Sequence, residues 1–421
     1  MEKMQGKKLL ILAGAAVHCK VVNAAKELGV YTIVVDYLKD SPAKLIADES
    51  WLLNITDVDA IVEKCKEEKI DGVLNFCIDP AQIPYQIITE KLGLPCYGTK
   101  EQFHILTNKI AFKKFCNECV IDTIPEYTEE SIKNDIVEYP IFIKPSDSRG
   151  SRGQSICYSK KETVDALSLA KKESSNGQVV IEKYMGEKQD FSMTYFVCNG
   201  EPYLTRTCDR YLGRIEDNLN KQCIAAIAPS KYSEFYIQKV DKKIKQFIKT
   251  LSIKNGPVFM QGFIDNDTIR FYDPGLRFPG GETELFLYKA TGVNLMKLMI
   301  EFALTGSING DSLKDNLYQF SGMHSIQMDF TCKPGKIYRF IGLEEIKNNQ
   351  MVKSVFTRYE VGEVVPNSGD VRQRVCEIGL LIDEKTTVKE AVSWVQNKFD
   401  VLDKEGNSML ISPLNSEFLD Y

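Results

Sequence analysis

The segment whose residues point most directly to chemistry is a loop rich in glycine, serine and arginine. It reads Lys144-Pro-Ser-Asp-Ser-Arg-Gly-Ser-Arg-Gly153 and joins two apolar runs. Small residues let backbone N–H groups approach phosphate oxygens, and a lysine at the end of a strand adds positive charge. The G-x-x-x-x-G-K-[ST] pattern of a P-loop is absent. The loop therefore predicts a phosphate-binding flap, with an ordinary hairpin turn as the alternative.

The elements around this loop indicate a mixed architecture. From Glu138 to Val197 the chain reads as strand, loop, strand, helix, strand and strand, an α+β order with antiparallel pairing. From Lys7 to Gly98, apolar runs rich in Val, Ile and Leu alternate with segments of helical periodicity, which predicts a Rossmann-like parallel sheet covered by helices. After Gly306 the chain becomes strand-rich again and predicts a small third α+β domain.

Other residues that could do chemistry have weaker patterns. Gly14 and Asp36 occupy places that a dinucleotide fingerprint uses, but one glycine stands where that fingerprint has three, so a tight turn is favoured over NAD binding. Cys116 and Cys119 form a C-x-x-C without a second pair at zinc spacing, which favours core packing. The histidines, among them His18, form no Ser/His/Asp or Cys/His constellation.

Composition places the chain among ordinary globular proteins. It has 421 residues, of which 43% are hydrophobic and 26% charged, so we expect several packed domains. The formal charge of -5, with both signs mixed along the chain, disfavours nucleic acid as a partner. The cysteines form no disulfide framework, and the early run LLILAGAA reads as a buried strand rather than a membrane segment. We expect a cytoplasmic protein.

Three segments resemble the ATP-grasp superfamily. The run YPIFIKPSDSRGSRGQ resembles its signature, in which a strand ending in lysine enters a loop over the phosphates. The segment from Thr107 to Lys113 resembles the part that carries another phosphate-binding lysine, and Val180 to Asp190 resembles the hinge that holds adenine and ribose. Asp190 stands where the family usually has Glu. The resemblance implies nucleotide contacts from Lys109, Lys144, Ser148, Gly150, Ser151, Gly153, Glu182, Lys183, Tyr184, Met185 and Asp190.

A fourth segment, in the expected order, resembles the two magnesium-binding strands of this superfamily. The usual pattern is Glu on the first strand, Glu-x-Asn on the second and Arg two residues later. This chain offers Gln261, Asp273, Gly275 and Arg277. The resemblance implies that Gln261 and Asp273 are metal ligands and that Arg277 and Lys144 are catalytic.

Gly275 removes one ligand of this pattern. A second Mg²⁺ is then held weakly or is held by recruited carboxylates, for which the candidates are Asp265, Glu282 and Glu284. The arginines from Arg206 to Arg214 lie where the family often places groups over the active site, with a solvated loop as an equal alternative.

The resemblance covers nearly the whole chain and implies an ATP-grasp fold of α/β and α+β type. The predicted domains are a Rossmann-like pre-ATP-grasp domain (1–98), an ATP-grasp domain (99–306) and a C-terminal α+β domain (307–421). Within the ATP-grasp domain we expect linker helices at 99–122, a flap subdomain at about 123–185 and a metal-binding subdomain at about 186–306.

The carbamoyl-phosphate synthetase, biotin carboxylase and glycinamide-ribonucleotide synthetase branches give the expected activity. It is a carboxylate–amine ligase that uses ATP and Mg²⁺, with Mn²⁺ as a substitute, forms an acyl phosphate and releases ADP. The alternatives are a bicarbonate-activating carboxylase and a non-catalytic ATP-binding regulatory protein. The expected partners are a small-molecule carboxylate and amine, with no nucleic acid and no membrane, and the family suggests a homodimer.

Overall fold

The computed structural model describes residues 4–146, 153–186, 188–213, 222–281, 283–411 and 413–421. The N-terminal part is a parallel sheet with strand order β3-β2-β1-β4, as the alternating pattern predicts. Its strands are almost wholly buried, because helices cover them, and this explains their continuous apolar runs. The elements are β1 (Lys8–Leu12), α1 (Cys19–Glu27), β2 (Tyr31–Val35), α2 (Pro42–Ile46), β3 (Glu49–Trp51), α3 (Val58–Glu68), β4 (Gly72–Leu74) and α4 (Gln82–Leu92).

Two helices connect this sheet to the rest of the chain. They are α5 (Lys100–Ile105) and α6 (Lys109–Glu118). The side chain of Asn108 caps α6 by accepting hydrogen bonds from the N–H groups of Ile110 and Ala111. Lys109 is therefore the first residue of a helix with a capped N-terminus. This helix lies in the segment for which linker helices are predicted.

The next part, which we call the lid, is a sheet with order β5-β8-β6-β7. Ile141 and Ile143 of β6 face a small core under α8, so Phe142 and Lys144 point to the opposite face. The lid elements are β5 (Glu126–Tyr127), α7 (Glu129–Lys133), β6 (Ile141–Pro145), β7 (Ser155–Cys157), α8 (Lys160–Glu173) and β8 (Val179–Lys183).

Opposite the lid lies a large antiparallel sheet with order β13-β12-β9-β10-β11-β14-β19-β17, which β21 extends on β14. The elements up to residue 306 are β9 (Asp190–Cys198), β10 (Glu201–Leu212), β11 (Cys223–Ala228), α9 (Ser233–Lys239), α10 (Asp241–Thr250), β12 (Gly256–Asp265), β13 (Thr268–Gly275), α11 (Thr283–Thr291) and α12 (Leu295–Thr305). Helix α12 packs against β1 and β4 of the N-terminal sheet.

Four of the C-terminal strands, β14, β17, β19 and β21, continue this large sheet, and the other four form the two-stranded sheets β15-β18 and β16-β20. Strand β14 pairs with β11 from Ser325 to Met328, and Ile224 and Ile227 of β11 belong to the C-terminal core. The large sheet therefore extends across the predicted domain boundary at residue 306, and that boundary stays a prediction. The remaining elements are β14 (His324–Cys332), β15 (Gly335–Lys336), β16 (Arg339–Ile341), α13 (Leu343–Lys347), β17 (Val352–Thr357), β18 (Val364–Val365), β19 (Arg374–Ile382), α14 (Val388–Lys398), β20 (Asp400–Leu402) and β21 (Leu410–Ile411).

Within the described ranges, no helix combines the length and the apolar composition that crossing a membrane needs.

Candidate active site

A cavity of about 740 Å³ lies between the lid and the large sheet. This volume is in the range of small-molecule and cofactor sites. Its walls come from α6, the lid and the large sheet, and also from Val371 and Arg374 in the C-terminal part. The predicted site residues that line it are Lys109, Lys144, Glu182, Lys183, Tyr184, Met185, Asp190, Gln261 and Asp273.

At one end of the cavity, the end of β8 offers a backbone carbonyl that can accept a hydrogen bond from a ligand. The N–H of Lys183 donates to the carbonyl of Pro125 (2.9 Å). Because proline has no N–H, it cannot return the bond to the carbonyl of Lys183, which an antiparallel pair would otherwise make. That carbonyl is thus available to a ligand with a hydrogen-bond donor on a flat edge, as the predicted adenine hinge requires.

A buried lysine–glutamate cluster, formed by Lys113, Lys144 and Glu182, lies beneath this hinge. The Nζ of Lys144 is 2.7 Å from Oε2 of Glu182, and the Nζ of Lys113 contacts Oε1. Lys113 also pairs with the half-exposed Glu126 at 2.9 Å. The sequence predicts Glu182 as an adenine contact, but the structure commits its carboxylate to the two lysines.

The charges of this cluster are set by burial and by each other. Burial lowers the pKa of Lys144, and the adjacent Glu182 carboxylate opposes that shift. Burial alone would raise the pKa of Glu182, but Lys144 and Lys113 outweigh it and hold the pKa below its usual value. With all three groups charged, two buried cations share one buried anion, and Lys144 keeps attraction for anionic groups in the cavity.

Asp190 lies deeper in the cavity and is held by two side chains that the sequence did not single out for this role. The Nη1 of Arg210 donates to Oδ2 of Asp190 (2.8 Å) and to the Tyr272 hydroxyl (2.9 Å), and that hydroxyl is 3.1 Å from Oδ2. A bulge in β13 opposite Gln261 and Gly262 turns the consecutive residues Tyr272 and Asp273 to the cavity. The predicted ribose contact of Asp190 must therefore compete with Arg210 and Tyr272.

Burial raises the pKa of Asp190 to about 6, although Arg210 and Tyr272 oppose the shift. A carboxyl with a raised pKa in the folded state stabilises the fold below its unfolded pKa, and this stabilisation is lost as the pH rises through the folded value. The free energy of unfolding of the wild type relative to Asp190→Asn should therefore fall by about 2 kcal/mol between pH 4.5 and 7.5. Urea denaturation of both proteins at the two pH values measures it, and a difference independent of pH would contradict the assignment.

Gln261 and Asp273 face each other in register on β12 and β13. Their amide and carboxylate oxygens are hard donors of the kind that Mg²⁺ accepts, since this ion commonly takes one or two carboxylates together with water and substrate phosphates. Lys109 approaches the same place, with its Nζ 3.5 Å from Oδ1 of Asp273. The residues present therefore fit one magnesium ion beside a cationic side chain.

An aromatic ring occupies the space where the usual pattern has a metal-binding side chain and this chain has Gly275. A Cβ on Gly275 would lie 2.0 Å from Cε1 of Phe259, so the ring fills the space that a side chain there would need. Asp265 is paired with Arg270 and Lys188, and neither Asp265 nor Glu284 lines the cavity. Glu282 lies outside the described residues, so neither of the two described candidates is placed to bind a second ion.

Arg277 is committed to the N-terminal part of the chain. Its guanidinium makes a two-pronged pair with Asp79, including Nη2 to Oδ2 at 2.7 Å, and lies 4.7 Å from the centre of the Phe259 ring. Asp79 lines the cavity, whereas Arg277 lies behind it. The predicted catalytic role of Arg277 therefore requires that its ion pair with Asp79 break, so that the guanidinium can contact a ligand.

Comparison with known proteins agrees with this geometry. Residues 100–201 match the family model for the ATP binding domain of the carbamoyl-phosphate synthase L chain. The structure superposes on L-amino acid ligase from Bacillus licheniformis (TM-score 0.76, 18% identity, 95% of this chain and 99% of that one). It also superposes on the biotin carboxylase domain of the Hydrogenobacter thermophilus 2-oxoglutarate carboxylase (TM-score 0.76, 18% identity, 97% and 92% covered). The chain has the ATP-grasp fold.

Among curated proteins, the chain is similar to the formate-dependent phosphoribosylglycinamide formyltransferase of Sulfurisphaera tokodaii. The two are 26% identical over 212 residues, which is 48% of this chain and 53% of that protein. The chain thus spans about half the length of this relative. The predicted superfamily and its fold are confirmed, while the individual site residues remain predictions.

Among the described residues that line the cavity, not every predicted nucleotide contact is found. Ser148, Gly150 and Ser151 lie outside the described residues. Gly153 has a φ of +67°, and a Cβ there would be 2.8 Å from Glu173, so the backbone explains this glycine. His18 is wholly buried near Phe76, and burial lowers its pKa to about 4.

Proposed function

We propose that this ATP-grasp chain uses ATP to activate a small-molecule carboxylate as an acyl phosphate, which an amine then attacks. The observation that supports this proposal is the convergence of opposite charges in one cavity. Lys109 and Lys144 enter it from α6 and the lid, and Gln261 and Asp273 enter it from the large sheet. Phosphoryl transfer needs this combination, because positioning and electrostatics supply most of its catalysis.

In this proposal, the hinge from Glu182 to Met185 holds adenine, and Lys109 and Lys144 neutralise the phosphates. Gln261 and Asp273 would hold Mg²⁺, which neutralises charge on the phosphate oxygens. A carboxylate oxygen attacks the γ-phosphorus, and the bond to the bridging oxygen breaks to release ADP. The amine nitrogen then attacks the acyl carbon, loses a proton and expels inorganic phosphate. The chain's own part is to bind, orient and exclude water.

The names of the relatives support this class and leave the substrates open. An L-amino acid ligase and a biotin carboxylase domain share the fold, and a formyltransferase is similar in sequence. The carboxylase favours bicarbonate as the second candidate for the activated acid. The ring of Phe259 behind Gly275 favours the third candidate, an ATP-binding protein without turnover. The carboxylase structure is described as a dimer, so we also propose a homodimer, which light scattering would test.

The test of the proposed function is ADP release from Mg-ATP with pooled amino acids, small carboxylic acids or bicarbonate, and hydroxylamine as a trap. ADP and a hydroxamate that both depend on one acid would support the ligase. ADP formed with bicarbonate alone would favour the carboxylase. Tight ATP binding without ADP formation under any condition would favour the regulatory protein, and AMP as product would overturn the mechanism.

The lysine–glutamate cluster makes a further prediction about Lys113, which contacts Glu182 from behind. In Lys113→Met, Lys144 becomes the only buried cation on Glu182, and the pair becomes neutral. The affinity for ATP should fall about tenfold, whereas the affinity for adenosine, which has no phosphates, should stay unchanged. Calorimetric titration with both ligands measures this. Equal losses for ATP and adenosine, or a Lys113→Arg variant that fails to restore ATP affinity, would reduce Lys113 to a packing residue.

A further inference from the structure

Asp79 is a carboxylate that occupies the guanidinium of Arg277 at the wall of the cavity. The Nη2 of Arg277 donates to Oδ2 of Asp79 at 2.7 Å, and its Nε donates to Oδ1. Two parallel hydrogen bonds between a planar guanidinium and a carboxylate are the geometry by which proteins recognise carboxylates most specifically. The group that fills this place therefore belongs to the same chemical class as the acid of the proposed reaction.

The two partners of this ion pair differ in their access to the cavity. Asp79 lines the cavity, and 31% of its side chain is exposed, whereas 11% of the Arg277 side chain is exposed. A ligand that enters the cavity thus meets the carboxylate before the guanidinium. The release of Asp79 has a low cost in solvation, because water can reach the carboxylate as it leaves.

Arg277 has contacts that keep it in position without Asp79. Its Nη1 donates to the carbonyl of Phe278 at 2.7 Å, and its guanidinium lies 4.7 Å from the centre of the Phe259 ring. These contacts leave the edge formed by Nε and Nη2 to the carboxylate. Because the guanidinium is planar and rigid, it would present the same edge to another carboxylate.

Asp79 is held less firmly than its partner. It begins a single 3-10 turn (Asp79–Ala81) between β4 and α4, and its Oδ1 accepts a hydrogen bond from Nε2 of Gln82 at 3.0 Å. Two buried atoms beside this turn, Nδ2 of Asn75 and Oε1 of Gln82, have no hydrogen-bond partner among the described residues. Buried polar groups are normally paired, so these two atoms gain nothing from the present arrangement of the turn. The turn can shift without breaking a hydrogen bond of either atom.

We propose that Asp79 is an internal competitor of the carboxylate substrate, which holds Arg277 until the acid takes over the guanidinium edge. This inference rests on the proposed function, because it takes the ligand of Arg277 to be the acid that ATP activates. Since the acid can bind only when the internal pair is broken, Asp79 lowers the apparent affinity for every acid. An anion that cannot form a two-pronged pair does not displace it.

The acid that replaces Asp79 would lie beside the candidate metal site. Arg277 closely follows Asp273 along the chain. Burial opposes the charge of Arg277, but Asp79 and, more weakly, Asp273 raise its pKa. The candidate metal ligand is therefore near enough to act on the guanidinium. A carboxylate held by Arg277 would meet the γ-phosphate at the place where Gln261 and Asp273 hold the metal ion.

The test compares acetate binding and acid-dependent ADP release in wild type, Asp79→Asn and Asp79→Glu at constant ionic strength. In Asp79→Asn, the dissociation constant of acetate, taken from the dependence of Tm on its concentration, should fall at least about tenfold. The KM for the acid that supports ADP release should fall similarly, with kcat changed less than about threefold. Asp79→Glu keeps a competing carboxylate and should stay within about threefold of the wild type.

Two controls show whether the effect depends on the negative charge at this place. Acetamide has the shape of acetate without its charge, and no variant should bind it more tightly than the wild type does. Asp59→Asn changes an exposed aspartate of α3 and should leave both constants unchanged. In the double variant Asp79→Asn with Arg277→Met, the gain in acetate affinity should disappear, because the guanidinium that the acid takes over is gone.

Thermal unfolding separates this role from a purely structural ion pair. Asp79→Asn leaves the buried Arg277 without its anion, so its Tm without ligand should fall, and acetate should raise it more than it raises the Tm of the wild type. Acetate affinity that is unchanged or weaker in Asp79→Asn, or a gain that persists in the double variant, would overturn the inference. Tighter acetate binding in Asp79→Asn without ADP formation from any acid would keep the exchange at Arg277 and overturn the proposed function.

Discussion

Replacing Lys144 by methionine should lower the rate of ADP formation by about 100-fold or more, with a smaller effect on the binding of adenosine. Lys144 is a buried cation of the lid that points into the cavity, and its Nζ is held 2.7 Å from Glu182. A preorganised charge aimed at the developing charge of a transferred phosphoryl group typically contributes this much to kcat. Steady-state kinetics with the acid identified in the ADP-release assay measures the effect.

The loss could also arise because Glu182 is left with a single buried cation. A second variant with Lys144→Met and Glu182→Gln removes both charges of this pair, and Lys113 keeps Glu126, at 2.9 Å, as its carboxylate partner. The double variant should be as inactive as the single one. Activity that returns in the double variant would show that Lys144 acts only as a counter-ion for Glu182, and the proposed role would be wrong.

Replacing Asp273 by asparagine should weaken the binding of the divalent cation in the presence of ATP by about 100-fold and lower kcat by a similar factor. Asp273 is the carboxylate that the structure brings opposite Gln261, and Phe259 closes the neighbouring position. With Asp273 gone, the pair of positions on β12 and β13 offers the ion only the neutral amide oxygens of Gln261 and of the introduced asparagine. Titration of Mn²⁺ with the ATP-loaded protein, followed by electron paramagnetic resonance, reports binding without turnover.

Asp265→Asn is the matched control for this prediction. Asp265 lies at the end of β12, the neighbouring strand that carries Gln261, and is paired with Arg270 and Lys188 outside the cavity. Its loss should leave the affinity for Mn²⁺ unchanged. We also expect one tightly bound ion per chain in the wild type, because the Phe259 ring fills the second position. Two tight ions, or unchanged binding in Asp273→Asn, would contradict the assignment of the metal site.

The sequence predicted those features that depend on local pattern. Continuous apolar runs are typical of buried parallel strands, and they located β1, β2 and β4. The strand that ends in Lys144 and the strand from Val179 to Lys183 were predicted from contiguous motifs. Gln261 and Asp273 were singled out because they follow these motifs in the expected order, and the roles of all these residues stay predictions. Each of these motifs can be recognised from its own residues, without knowledge of how the rest of the chain folds.

The features that the sequence missed depend on contacts between distant parts. Tyr272 reaches the cavity because a bulge in β13 breaks the alternation of side chains, and no residue type in the sequence predicts that bulge. Lys113 resembles any helical lysine until the fold places it beneath Glu182. The closure of the second metal position became visible only when Phe259 was found against Gly275. Val371 and Arg374 reach the cavity because the C-terminal strands extend the large sheet.

That extension has a consequence for how the molecule can move. Since β14 is hydrogen-bonded along β11, the C-terminal third and the metal-bearing strands form one frame in which relative rotation would break a ladder of backbone bonds. The lid has its own sheet and its own small core. Opening and closing over a nucleotide would therefore be carried by the lid, which the described chain joins to the large sheet near residues 121–125 and 188–190.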